Sequence, residues 1–268
     1  MTTVALADAL VTSLRELAER IAREAGDMVA AGRRSGLDAV TTKSSTTDVV
    51  TEFDRASERL IVERISEQRP DDAIIGEEGA DTAGASGVSW LVDPIDGTTN
   101  FLYALPGYGV SIAAADGDGT LAGAVYVPAT GELFSAGRGQ GATLNGDRIG
   151  CSTTTDLAQS LVATGFSYQP ARRQAQAERV ARFIAQVRDI RRFGAASVDL
   201  CNAGAGRVDA YFEEHLGPWD LAAGELIARE AGCRTGDFSG AAARPGEVLV
   251  ANPALFDQLA ALIRQVSA

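Results

Sequence analysis

The chain has 268 residues, 46% of them apolar and 22% charged, with a formal net charge of −12. That length and apolar content suffice for a sizeable core in one large or two ordinary domains. The acidic balance argues against a broad nucleic-acid footprint, and no apolar run reaches the roughly 18 residues that a membrane span needs.

Taken in chain order, residues 4–33 place Leu6, Leu10, Leu14, Leu17 and Ile21 at helical spacing, which predicts an amphipathic helix packed on one face. Charges run throughout this stretch and no basic leader precedes it, so it reads as part of the fold and not as a signal peptide. GLDAVTTKSSTTDVV (36–50) reads as loop and extended chain. TEFDRASERLIVERISEQRP (51–70) reads as a second amphipathic helix, with Leu60, Ile61 and Ile65 inward and Pro70 ending it. DDAIIGEEG (71–79) is a short strand running into acids, DTAGASG (81–87) a surface loop, and VSWLVDP (88–94) a buried strand that again ends in acids. Residues 107–149 alternate apolar runs with Gly, Asp and Asn turns, as antiparallel hairpins do.

The texture changes after about residue 152. Strands are expected at SLVATGF (160–166), RVDAYFE (207–213) and GEVLVAN (246–252). Helices are expected at 170–190, at the small-residue run GAASVDLCNAGAG (194–206), at 219–232 and at the C-terminal tail. The expected organisation is an α+β part over 1–150, with an antiparallel sheet, followed by an α/β part over 151–268.

Three scarcities narrow the chemistry. The chain has one histidine, His215, which rules out paired-histidine zinc or iron sites and makes His215 the sole imidazole for any Ser-His-Asp arrangement. Lys43 is the sole lysine. The three cysteines, Cys151, Cys201 and Cys233, are odd in number and far apart, as in a reduced, cytoplasmic protein.

Three segments carry phosphatase-like signals. Cys201 to Arg207 fits a Cys-x5-Arg phosphate loop, but AASVDL before it reads as helix already under way, so a buried helical thiol is the better reading. Asp116 to Thr120 fits Asp-x-Asp-x-Thr, but apolar runs flank it closely on both sides and Asp-Gly pairs are natural hairpin turns. The third signal is distributed. Glu77 and Glu78 follow one apolar strand, Asp93 and Asp96 follow another, and Asp220 opens a helix in PWDLAAGEL. Carboxylates at buried strand ends need a partner. An all-oxygen set without His or Cys selects hard ions, Mg²⁺ or Mn²⁺, and two such ions about 4 Å apart suit in-line attack on phosphorus. Gly97 and Thr98 at an expected helix start offer backbone N–H groups to an anion, and Gly194 to Ser197 offers a second such start.

GEEG, WLVDPIDGTTNF and PWDLAAGELIAREAG, with KSSTTDVVTEFD upstream, resemble the inositol monophosphatase family of Mg²⁺-dependent, lithium-sensitive phosphatases over residues 40–235. The resemblance implies a layered αβαβα sandwich, two or three Mg²⁺ ions per subunit and, commonly, a homodimer. It implies that Glu77, Asp93 and the Ile95 carbonyl bind a first ion, that Asp93, Asp96 and Asp220 bind a second, and that a third lies near Glu77. Thr98, aided by Asp54, would orient the attacking water, with Glu77 completing the catalytic set. Asp96, Gly97, Thr98, Ala196, Glu213 and Asp220 would contact the substrate, a small phosphorylated polyol. Lys43 and Glu78 would support the site, and His215 and Pro218 fall in the expected specificity loop. The implied reaction is hydrolysis of myo-inositol 1-phosphate, with histidinol phosphate, fructose 1,6-bisphosphate or a 3′-phosphoadenosine nucleotide as alternative substrates. A regulatory protein-binding module on the same fold is the alternative from another class. The small-residue helices and RDIRRF (188–193) are candidate dimer surfaces.

Overall fold

The structure, a computed structural model, describes residues 3–35, 40–42 and 49–267. Its first helix, α1 (Thr3–Ser35), buries Leu14, Ala18, Ile21 and Ala25 at spacings of three and four, a single apolar stripe. A two-stranded ribbon follows, β1 (Val40–Thr42) with β2 (Val49–Thr51), and leads into α2 (Glu52–Gln68). Thr51 caps α2 reciprocally: its hydroxyl accepts from the Phe53 N–H at 3.2 Å, while the Asp54 carboxylate accepts from the Thr51 N–H at 2.7 Å. Asp54 is therefore fixed by the helix start itself.

The first sheet has seven strands in sequence order: β3 (Ala73–Gly76), β4 (Ser89–Asp96), β5 (Gly109–Asp116), β6 (Gly119–Val127), β7 (Glu132–Gly137), β8 (Gly141–Leu144) and β9 (Asp147–Arg148). A short helix, α3 (Thr98–Leu102), joins β4 to β5. Only β3 and β4 run parallel; the other pairs are antiparallel. DGDGT is the β5–β6 hairpin turn, as its Asp-Gly pairs predict, with Asp116 paired to Arg138 at 2.9 Å.

The second sheet collects β10 (Leu161–Thr164), β11 (Asp189–Arg191), β12 (Ala210–Glu214), β13 (Arg234–Gly236) and β14 (Glu247–Ala251) in the order β11-β10-β12-β14-β13. Between these strands lie α4 (Pro170–Phe183), α5 (Ala196–Gly204) and α6 (Pro218–Glu230), and α7 (Phe256–Ser267) closes the described chain. Helices α1 and α2 cover one face of the seven-stranded sheet. Helices α5 and α6 pack between the two sheets, and α4 and α7 cover the outer face of the second sheet through Phe183, Phe212 and Phe256. This is the layered αβαβα sandwich expected from the motifs.

Three local expectations are corrected. The helix expected over 170–190 stops at Phe183, because Asp189–Arg191 is drawn into parallel pairing with β10. Strand β13, at Arg234–Gly236, has no counterpart among the expected strands, because three residues are too few to show a period. The small-residue helix α5 is buried along its whole length between the sheets, so its alanines and glycine serve close packing inside the chain and not a dimer surface. Cys201 lies within α5, fully buried, with burial pushing its thiol well up, and Arg207 pairs with Glu132; the Cys-x5-Arg resemblance carries no thiolate loop.

Candidate active site

The acids of DPID meet because β4 is irregular where it meets Pro94. Residues three apart on a regular strand point to opposite faces. The pairing of β4 with β5 slips between Asp93, opposite Ser111, and Asp96, opposite Gly109, so one extra residue bulges out on β4. Pro94, which has no N–H to donate, sits within this bulge. The segment is thus a bulged strand end. Gly97 then takes φ 84°, a left-handed value open to glycine, and a Cβ there would stand 3.0 Å from both the Gly107 carbonyl oxygen and the Ala195 methyl.

The bulge and the start of α6 bring one oxygen each from Asp93, Asp96 and Asp220 within 4.8 Å of one another. None of these three acids forms an ion pair among the described residues. Burial, followed by repulsion from Glu77, Asp96 and Asp220, drives the Asp93 carboxyl well above its ordinary range. Burial and then Asp96 and Glu77 do the same to Asp220. Asp96 is pushed up to about 6, chiefly by burial and against hydrogen bonds from Ser197 and Ala196. A cluster of two buried carboxylates and one half-buried, which resists ionisation and offers only oxygen donors, fits a hard divalent cation. Glu77 lines the same cavity from the end of β3.

Asp96 also organises the neighbouring helix. Its carboxylate accepts the Ala196 N–H at 3.2 Å, the Ser197 N–H at 2.7 Å and the Ser197 hydroxyl at 2.6 Å. The first amides of α5, expected to be free for a substrate anion, are therefore committed to Asp96, an acid placed where the helix dipole favours one. The Ile95 carbonyl accepts the Thr98 hydroxyl at 3.0 Å, and that hydroxyl also lies 3.2 Å from Asp54 Oδ1. Asp54 is fully buried and raised to about 6, by burial first and against its hydrogen bonds from Thr51.

The cavity, about 280 Å³, runs from these acids to a rim that includes Arg172, Arg192, Glu213 and His215. Glu213 lies on β12, although the residue types of this run also suit a polar loop. Its carboxylate accepts the Tyr211 hydroxyl at 2.6 Å, and burial raises it to about 7. A Cβ at Gly165 would overlap that carboxylate, so glycine there gives Glu213 its place. Glu214, next along the strand, pairs with Arg179 at 2.5 Å. His215 has φ 68°, rare for a residue with a side chain, and its N–H donates to Gly246 O at 3.2 Å. Pro218 takes the first turn of α6, where its missing N–H costs nothing. Lys43 lies outside the described residues.

Sequence reasoning does not single out one supporting residue, Glu58. Only 4% exposed, it accepts the Glu78 N–H at 2.8 Å and the Ala80 N–H at 3.1 Å, and so braces the GEEG turn that presents Glu77. In the sequence it is one acid among several on a charged helix. Glu58→Ala leaves two N–H groups without their acceptor and should cost about 1–3 kcal/mol of stability, read by denaturant unfolding, together with weaker Mg²⁺ binding. Unchanged values for both would remove Glu58 from the site.

With this geometry in place, comparison with known proteins is decisive: the family model described as the inositol monophosphatase family matches residues 10–268. The chain belongs to the inositol monophosphatase family. Inositol-1-monophosphatase SuhB of Mycobacterium tuberculosis is 43% identical over 272 residues, covering 94% of this chain and 93% of that protein. The protein named Nus factor SuhB of Pasteurella multocida is 43% identical over 226 residues, covering 84% and 85%. The crystal structure of extragenic suppressor protein SuhB from Bartonella henselae superposes with a TM-score of 0.89 at 32% identity, covering 94% of this chain and 99% of that one. As an inositol monophosphatase the chain is a phosphoric monoester hydrolase of a metal-dependent family, and the acidic cluster is where its structure offers a metal a place. No helix among the described residues is long and apolar enough to cross a membrane.

Proposed function

We propose that this inositol monophosphatase hydrolyses myo-inositol 1-phosphate to myo-inositol and phosphate, with Mg²⁺ ions held by Glu77, Asp93, the Ile95 carbonyl, Asp96 and Asp220. The observation that carries this reading is the placement, around one small cavity, of the carboxylate cluster, the Thr98–Asp54 pair and Glu213. Bound divalent ions would screen the phosphate charge, acidify a water and stabilise the departing alkoxide. The chain supplies the positioning. Thr98 Oγ1, with Asp54 behind it, orients the water and passes its proton toward Asp54, whose raised proton affinity suits that task. The Gly97 and Thr98 amides face the phosphate. Glu213, near half-protonated at neutral pH, both accepts from and donates to ring hydroxyls. A cavity of about 280 Å³ suits a ring of six carbons with one phosphate.

A panel of esters with measured phosphate release, with and without Mg²⁺, tests the substrate. Myo-inositol 1-phosphate should be turned over fastest, and Glu213→Gln should raise its KM about tenfold with a smaller change in kcat. Faster turnover of histidinol phosphate, fructose 1,6-bisphosphate or a 3′-phosphoadenosine nucleotide would overturn the assignment. The relatives named Nus factors motivate a second reading, a protein-binding role in transcription; the intact carboxylate cluster favours catalysis, since docking alone has no use for it.

A further inference from the structure

Away from the carboxylates, two of the three cysteines are neighbours. Cys151 lies three residues past β9, on the crossover leaving the seven-stranded sheet, and Cys233 lies between α6 and β13. The Cys151 N–H donates to Ala231 O at 3.0 Å, which draws the crossover against the end of α6. A Cβ at Gly232 would lie 3.8 Å from the Cys151 sulfur, which sets that sulfur beside the segment carrying Cys233, whose thiol donates to Ala203 O at 3.7 Å. Both thiols belong to one apolar cluster, with Cys233 only 7% exposed and Cys151 half-buried. Of the two residues Cys151 is the more exposed.

We propose that Cys151 and Cys233 form a reversible two-electron oxidation site, with Cys151 as the attacking thiol, Cys233 as the resolving thiol and hydroperoxides as the co-reactant class. The Cys151 thiolate attacks the distal oxygen of the hydroperoxide. The O–O bond breaks, the alkoxide takes a proton and leaves as alcohol (or as water from hydrogen peroxide), and Cys151 becomes a sulfenic acid. The Cys233 thiol then attacks the Cys151 sulfur; its proton leaves with the hydroxide as water, and the S–S bond forms. Two thiols are oxidised by two electrons and one peroxide is reduced by two. The neighbouring Cys233 thiol lowers the proton affinity of Cys151 against the effect of burial and raises that of Cys233, which makes Cys151 the attacking member of the pair. The third cysteine, Cys201, is fully buried in α5 and has no part.

The bond would tie the crossover to the C-terminal end of α6, at the opposite end from Asp220. It would close the segment 151–233 into a loop, which restricts the unfolded chain and raises stability while leaving the carboxylates alone. The test uses the full chain with Mg²⁺, reduced, desalted and exposed to hydrogen peroxide. Intact mass should fall by two hydrogens, peptide mapping should link Cys151 to Cys233, Tm should rise, phosphatase turnover should persist, and dithiothreitol should reverse the mass and Tm changes. Cys151→Ser should stay unlinked, and Cys233→Ser should instead accumulate a Cys151 sulfenic acid that dimedone captures. An unchanged wild-type mass under excess peroxide, oxygen addition at Cys151 without linkage, or linkage between two chains through Cys151 would each overturn the proposal.

Discussion

Asp93→Asn should leave a folded protein whose Mg²⁺-dependent phosphatase turnover falls by about a thousandfold, roughly 4 kcal/mol of lost transition-state stabilisation. Asp93 stands at the centre of the cluster: it faces Glu77, Asp96 and Asp220 together, and burial and all three of them raise its proton affinity. An amide keeps the shape and the hydrogen-bonding oxygen but removes the charge that would hold a cation. The Asp93 Oδ1 bond to the Ile95 N–H, 3.0 Å, survives the change, so the bulge is retained. In chelator at pH 8 the variant should melt no lower than wild type, because one of several crowded carboxylates has been neutralised. Phosphate release across a Mg²⁺ titration and thermal melts in chelator check both halves. Full activity in the variant, or full wild-type activity in chelator, would end the metal-based reading.

The parts of this site that are legible in the sequence share one physical signature: charge placed at the end of a buried strand. Glu77, Asp93 and Asp96 follow apolar runs, so the cost of their charge can be read from the residue pattern alone. How charge is arranged across elements does not follow from that pattern. The bulge that turns Asp96 toward Asp93 depends on where Gly109 and Ser111 of β5 find their partners, a pairing that residue type does not encode. Glu58 is illegible for the same reason, since its partners are N–H groups 20 and 22 residues away on a turn. The α5 amides look free in the sequence because their acceptor, Asp96, is 100 residues upstream. Helix and strand order is otherwise readable from period, failing at β11 and β13, whose three residues each are shorter than a pattern needs.

The same crowding predicts a stability profile whose sign separates this site from ordinary surface acids. Asp54 is raised from 3.8 to about 6 by burial, Asp96 to about 6 and Glu213 to about 7, and Asp93 and Asp220 are raised well above their ordinary range, each with burial as the first cause. Each group's proton affinity is higher folded than unfolded. Well below the unfolded-state carboxylate range both states are protonated and no penalty applies. As pH rises from about 4 toward 7 the unfolded chain releases protons that the fold retains, so stability falls, for Asp54 alone by on the order of 3 kcal/mol. Asp72 works in the opposite sense: burial pushes it up, but bonds from Arg69, Ser86 and Trp90 outweigh that, so its contribution is lost as pH falls. Melting the protein in chelator therefore reads a sum. The difference between melts with Mg²⁺ and with chelator isolates the metal site, because the ion binds the deprotonated carboxylates and replaces their protons. That difference should be small at pH 5, grow through pH 6–7 and be largest at pH 8, and Asp93→Asn should flatten it. A Mg²⁺ effect of equal size at pH 5 and pH 8 would mean that the ion is held elsewhere.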